Sequence, residues 1–206
     1  MKTFKSVAIQ AETEVIIKKS RFISLVFPVN TETEAEAFLH QVKEAHKDAT
    51  HNVFAWQVGI SKTLQRCSDD GEPSGTAGRP VLEVIKQNGL VNVLVVVTRY
   101  FGGIKLGAGG LIRAYSQAAR EGLAKAGVVE KALHHKYEFT VDYSCLGSVQ
   151  AILEKYAKIV NTIYGEQVTF TVLVLNKDLI ELQNMLNDAT GGQLVVKPSG
   201  TEFYKI

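Results

Sequence analysis

The sequence predicts an α/β (α+β) protein in two parts, and three observations carry that prediction. From about residue 136 onward the chain reads strand, helix, strand, strand, helix, strand, which is the order of a ferredoxin-like βαββαβ domain. Before it, extended runs alternate with helical patterns, among them the nearly continuous apolar segment LVNVLVVV at 90–97. The charge balance also changes sign: residues 1–134 hold 17 Lys and Arg against 13 Asp and Glu, and residues 135–206 hold 6 against 8. We therefore divide the chain into 1–134 and 135–206, with a linker at ALHHK, 132–136.

The first part opens with expected strands around 6–10, 13–18 and 22–29. TETEAEAFLHQVKEAH then predicts a helix, because Thr31 can cap it and three glutamates suit the positive end of its dipole. HNVFAWQVGI at 51–60 is a strand that places Trp56 in the core. The loop SDDGEPSGTAGRP, 68–80, leads into a helix ending near Asn88 and Gly89, with Ser74 or Thr76 expected as its cap. The valine-rich strand at 91–97 runs into GGIKLGAGG, and LIRAYSQAAREGLAKAG forms a helix packed through Leu111, Tyr115, Ala118, Gly122 and Ala126.

In the second part, YEFTVDY alternates apolar Tyr137, Phe139, Val141 and Tyr143 with polar residues, as a half-buried strand does. CLGSVQAILEKYAK carries Leu146, Val149, Leu153 and Tyr156 near helical spacing. IVNTIYG and QVTFTVLVL are extended runs joined at 164–166. A helix at about 177–188 shows Leu179, Leu182 and Leu186 on one stripe, and GGQLVVKP closes the set as a strand.

With 46% hydrophobic and 21% charged residues, the composition is that of an ordinary globular protein. The longest apolar run is far short of the ~20 residues that span a bilayer, and MKTFKSVAIQAETEV lacks the apolar block of a signal peptide. A cytoplasmic protein without a membrane partner is expected. Cys67 and Cys145 stand alone, so neither disulfides nor a zinc site is indicated, and no cofactor motif is matched.

The net charge of +2 does not mark a nucleic-acid binder, but its distribution is uneven. From Val84 to Arg120 the chain has the cations Lys86, Arg99, Lys105, Arg113 and Arg120 and no carboxylate. A strand end, a glycine-dense turn and a helix start in that window form an anion site by simple geometry. Helix-start N–H groups lack intrahelical acceptors, the dipole adds partial positive charge, and glycine admits a phosphate to the backbone. The candidate anion- or nucleic-acid-binding residues are Arg79, Arg99, Tyr100, Gly102, Gly103, Lys105, Gly107, Gly109, Gly110 and Arg113, with Arg99, Lys105 and Arg113 as mobile cations. GGIKLGAGG is neither a Walker loop nor a Rossmann fingerprint. Its glycines have a second reading, as a chain turn at 102 and 103 and tight helix packing at 107, 109 and 110.

The loop Asp69, Asp70, Gly71, Glu72, Pro73, Ser74, Gly75, Thr76 and Gly78 offers carboxylates that can bind Mg²⁺ or act as acid and base. The same residues also serve as turn formers and caps. His51 enters a strand near this region. Trp56, Tyr100 and Phe101 are candidate stacking platforms for bases, with Trp56 placed rather in the core and one of the other two expected near the surface.

SDDGEPSGTAGRP followed by VVVTRYFGGIKLGAGGLIRAY resembles the signature of the YigZ/IMPACT family, and the length and two-part layout are similar to its bacterial YigZ-type members. The resemblance implies a first domain of the ribosomal protein S5 domain 2 type and a ferredoxin-like second domain similar to an elongation factor G module. The family motif falls on Asp69 to Gly78 and Pro80, then on Arg99, Tyr100, Gly102, Gly103, Leu106, Gly107, Gly109, Gly110 and Leu111. Eukaryotic IMPACT proteins, which resemble the chain only over the first domain, act in translational control through protein contacts. The expected function is a non-enzymatic module contacting RNA, ribosome or a protein partner in translation. The alternatives are a phosphate- or nucleotide-binding enzyme using the same cleft, and a protein-binding regulator.

Overall fold

The computed structural model describes residues 3–206, as two compact units, one of Phe4–Glu130 and one of Lys131–Ile206 together with Thr3. In the first, β1 (Thr3–Val7), β2 (Ala11–Ile17) and β3 (Ser20–Pro28) precede α1 (Glu32–Ala45). Then come β4 (His51–Val58), β5 (Leu64–Ser68), α2 (Gly78–Gln87), β6 (Val93–Tyr100) and α3 (Ala108–Ala126). The sheet order is β2-β3-β6-β4-β5, with every neighbouring pair antiparallel.

The apolar run of β6 follows from its central place, because both of its faces are covered. Val93, Val95 and Val97 join the core under α2 and α3, whereas Leu94 and Val96 join Phe54, Trp56 and the underside of α1. Thr31 caps α1 as expected, accepting from the N–H of Glu34 at 3.1 Å. All five residues assigned to the packed face of α3 are buried. β5 is a strand that the sequence pattern misses. Four of its five residues are exposed, so LQRCS shows no alternation.

β2 and β3 join through only Lys18 and Lys19, whose φ values are +46° and +65°. Two consecutive positive φ angles define the hairpin turn that favours Asn-Gly. Lysine in this conformation costs roughly 1–2 kcal/mol per residue. Both side chains are exposed.

β7 (Val128–Val141) leads into the second unit, which continues with a 3₁₀ turn (Tyr143–Cys145), α4 (Leu146–Tyr156), β8 (Lys158–Tyr164), β9 (Val168–Leu175), α5 (Leu179–Thr190) and β10 (Val195–Lys205). Within a five-stranded sheet that also includes β1, the antiparallel order β10-β7-β9-β8 and the βαββαβ sequence are the ferredoxin-like arrangement that the sequence predicts. Its core gathers Phe139, Phe170, Val149, Leu153, Leu182 and Leu186. Tyr143 departs from the expected alternation because β7 ends at Val141, which leaves the ring in the 3₁₀ turn and about half exposed. Residues 132–136, read in the sequence as a linker, lie inside β7, paired to β10 and β9. The two sheets and five helices make the chain the mixed α/β (α+β) protein expected.

Candidate functional site

β6 ends at Tyr100, and the glycine loop from Gly102 to Gly107 carries the chain into α3. Beside this loop lies a cavity of about 380 Å³. Its wall is polar at His51, Glu72, Arg99 and Lys105 and apolar at Phe101, Leu106 and Leu111. Thr50, Pro73 and the start of α3 at Gly107 and Ala108 complete it. The cleft thus brings Glu72 and Pro73 of the 68–80 loop beside residues from Arg99 to Leu111.

Strand parity decides which side chains reach it. Successive residues of a strand face opposite sides, so Arg99 follows Val95 and Val97 toward α3, and Tyr100 follows Val96 toward the α1 side. Arg99 is 5% exposed, and its Nη1 lies 2.6 Å from Glu72 Oε1, itself on a buried side chain. The same oxygen accepts from the Tyr115 hydroxyl at 2.7 Å, and Arg99 Nη2 donates to Ser20 Oγ at 3.3 Å. Burial, followed by the Glu72 carboxylate, drives the Tyr115 hydroxyl far above its usual pKa and keeps it a donor. Arg99 is therefore not the mobile cation expected from the sequence. It is a fixed charge, largely neutralised by Glu72, with one unpaired group, the buried Nε.

His51 is held from the other side. Its Nδ1 is 2.8 Å from the Asp70 carbonyl oxygen, an obligate acceptor, so Nδ1 carries the proton and Nε2 stands 3.7 Å from Glu72 Oε1. Asp70 adopts φ +45°, accepts from the Asn52 N–H at 2.7 Å and pairs with Lys43 Nζ at 2.9 Å. Burial pushes the Asp70 carboxyl up, but the Lys43 ammonium and the Asn52 N–H outweigh it and hold its pKa below the usual range. Asp69 accepts from the N–H groups of Gly75, Ala77 and Gly78 at 2.8–3.0 Å. It thereby caps α2 across eight or nine residues, so neither Ser74 nor Thr76 is the cap. The exposed Ser74 plays no such part, and Thr76 Oγ1 donates to the Pro73 carbonyl.

The start of α2 is accordingly closed to a ligand, whereas α3 starts at Gly107 with no side chain capping it. Gly107 has φ +72° and Gly103 +83°, so both turns favour glycine. Gly102 is required for a different reason, since a Cβ there would fall 2.0 Å from the Lys19 carbonyl group. Gly109 and Gly110 form the first turn of α3, the latter tight against Leu106.

The remaining candidates separate. Arg79 and Gly75 line a different groove, between α2 and α3, with Arg120. Arg113 and Gly110 line a third cavity with Lys18. The Tyr100 hydroxyl is 2.9 Å from His46 Nδ1, with Arg21 over the ring, so Phe101 is the exposed aromatic of the pair. Gly71 and Gly75 take positive φ in the turn, Gly78 packs against the Ser68 backbone, and Pro73 lines the cleft. Among the described residues no helix is long and apolar enough to cross a membrane.

Comparison with known proteins places this geometry in context. The model of the Impact N-terminal domain matches residues 18–123, which contain every residue of the cleft, and a domain of unknown function, DUF1949, matches residues 139–193. The chain is 44% identical to the IMPACT family member YvyE of Bacillus subtilis, covering 90% of this chain and 86% of that protein. It is 35% identical to the IMPACT family member YigZ of Escherichia coli, covering 86% and 89% respectively. Mouse Protein IMPACT is 36% identical over 95 residues, 44% of this chain and 29% of that protein. A crystal structure described as that of an hypothetical protein superposes with a TM-score of 0.64 at 33% identity, covering 95% of this chain and 97% of that one. Relatives that span both units, and a domain model laid over the strands, glycine loop and α3 of the cleft, establish that the chain belongs to the IMPACT family, in its bacterial two-domain form.

Proposed function

We propose that this chain is a non-enzymatic binding module of the translation apparatus, contacting RNA or the ribosome through the cleft beside the glycine loop. The observation that carries this reading is the uncapped start of α3, which opens with exposed Lys105 onto a cavity of about 380 Å³. Backbone N–H groups, a helix dipole and a free ammonium together favour a phosphate there. Phe101, 46% exposed at the rim, offers a ring face for a base.

The enzymatic alternative draws on the size of the cavity, within the ~300–1,000 Å³ of small-molecule pockets. Against it, Asp69, Asp70 and Glu72 are each engaged by protein donors, leaving no carboxylate of the loop in an idle state suited to acid–base work or metal binding. Co-sedimentation with ribosomes and with free RNA over a salt series tests the proposal. Wild type should pellet in a salt-sensitive manner and Lys105→Glu should not. A rise in melting temperature with nucleotide, without RNA or ribosome binding, would instead favour the enzyme.

A further inference from the structure

We infer that the Lys18–Lys19 hairpin is a second phosphate seat, which extends the cleft into a track for at least two successive phosphates of single-stranded RNA. This inference rests on the proposed RNA-binding role of the cleft and says where the strand leaves it. The cavity at the cleft and a neighbouring one of about 250 Å³ share Leu106 as a common wall. The second is lined by Lys18 and Arg113, with Ile17, Gly110, Ala114 and Gln117, and by no carboxylate. Lys18, Lys19, Lys105 and Arg113 are all exposed, and no salt bridge engages any of them among the described residues.

The hairpin is also fixed against the glycine loop. Gly102 lies so close to the Lys19 carbonyl group that no Cβ fits between them, and the Gly102 N–H donates to Ser20 Oγ at 3.2 Å. The two lysines therefore stand at a set place beside the loop, on a turn that glycine and asparagine would occupy without strain. A strained turn whose two side chains are exposed, and that no salt bridge engages among the described residues, points to a use for those side chains. Cations in both cavities that Leu106 lines, Lys105 in one and Lys18 and Arg113 in the other with Lys19 adjacent in the turn, suit a backbone that carries one negative charge per nucleotide. They suit it better than a single phosphate, which one cavity alone would satisfy.

The test replaces the turn by its unstrained counterpart, Lys18→Asn with Lys19→Gly, in the full chain, and measures binding of a fluorescently labelled twelve-residue oligouridylate by anisotropy from 50 to 300 mM KCl. Each phosphate contact on a single strand contributes a slope of about −0.7 in log K against log salt, or roughly a fivefold change in affinity at 0.1 M. The variant should melt at or above the wild-type temperature, since the turn is relieved, and yet bind about fivefold more weakly with the slope reduced by about 0.7, the share of one phosphate. Arg113→Gln should show half that loss in slope. Wild-type affinity and slope in the hairpin variant, with oligouridylate still bound, would overturn the track and leave the cleft reading standing. Failure of the wild type to bind oligouridylate would remove both. Tighter binding of polyglutamate than of the oligouridylate would overturn the track in favour of an acidic protein partner.

Discussion

Removing either member of the Glu72–Arg99 pair should unfold the first unit far more readily than removing both. The pair is 2.6 Å long between side chains only 4% and 6% exposed, so each single loss strands the other charge in a dry interior. Breaking such a pair from one side costs about 3–5 kcal/mol, whereas replacing it by apolar groups of similar volume is close to neutral. Against a domain stability of about 5–15 kcal/mol, a single loss is a large fraction of the whole. The Glu72→Met variant leaves Arg99 without its carboxylate and Tyr115 without its acceptor. The Arg99→Met variant leaves Glu72 with only Tyr115 and the distant His51. The assay is urea unfolding followed by tryptophan fluorescence, because the one tryptophan of the chain, Trp56, is buried in this unit and reports on it alone. Each single variant should lose about 3–5 kcal/mol, and the double variant should fall within about 2 kcal/mol of wild type. Single losses below about 1 kcal/mol that simply add would refute the view that this pair is a coupled, buried charge.

Two further outcomes follow from the carboxylates of the same loop. Asp70 titrates lower in the fold than in the unfolded chain, so its stabilisation is complete above the ordinary Asp pKa of about 3.9 and is lost as pH falls through the folded value. Asp70→Asn should flatten the acid limb of the stability curve followed by Trp56 fluorescence, and an unchanged limb would contradict the assignment. Asp69→Ala deprives Gly75, Ala77 and Gly78 of their acceptor and should cost about 2 kcal/mol in urea unfolding, the upper range for a helix cap. A loss no larger than that of Ser74→Ala would show that the carboxylate is not the cap.

How much of this was legible in the sequence varies with how local each signal is. The ferredoxin-like unit reads directly, because its alternation and helical stripes are set by residues a few positions apart. The packed face of α3 reads for the same reason. β5 does not, since an exposed edge strand such as LQRCS needs no apolar face. The glycines and the acid-free window drew attention to the stretch that lines the candidate cleft, but the role of its charges was not visible. Arg99 and Glu72 are 27 residues apart, and no local pattern announces that they meet. Parity supplied one overlooked signal: a cation two residues beyond Val97, on the buried face of a central strand, requires a buried partner. The Lys18–Lys19 turn carried no signal either, because lysine is an unexpected residue at two successive positive φ angles. The need for Gly102 likewise arises from a chain segment more than eighty residues away.

The central claim is that the exposed charge at the uncapped start of α3, not the buried Arg99, receives phosphate. The most direct measurement is the salt dependence of RNA and ribosome co-sedimentation for wild type, Lys105→Glu and the Glu72→Met/Arg99→Met pair variant. Binding that weakens steeply with salt, is lost in Lys105→Glu and survives in the folded pair variant is the expected result. Binding indifferent to Lys105 but abolished with Arg99 in a folded protein would contradict it.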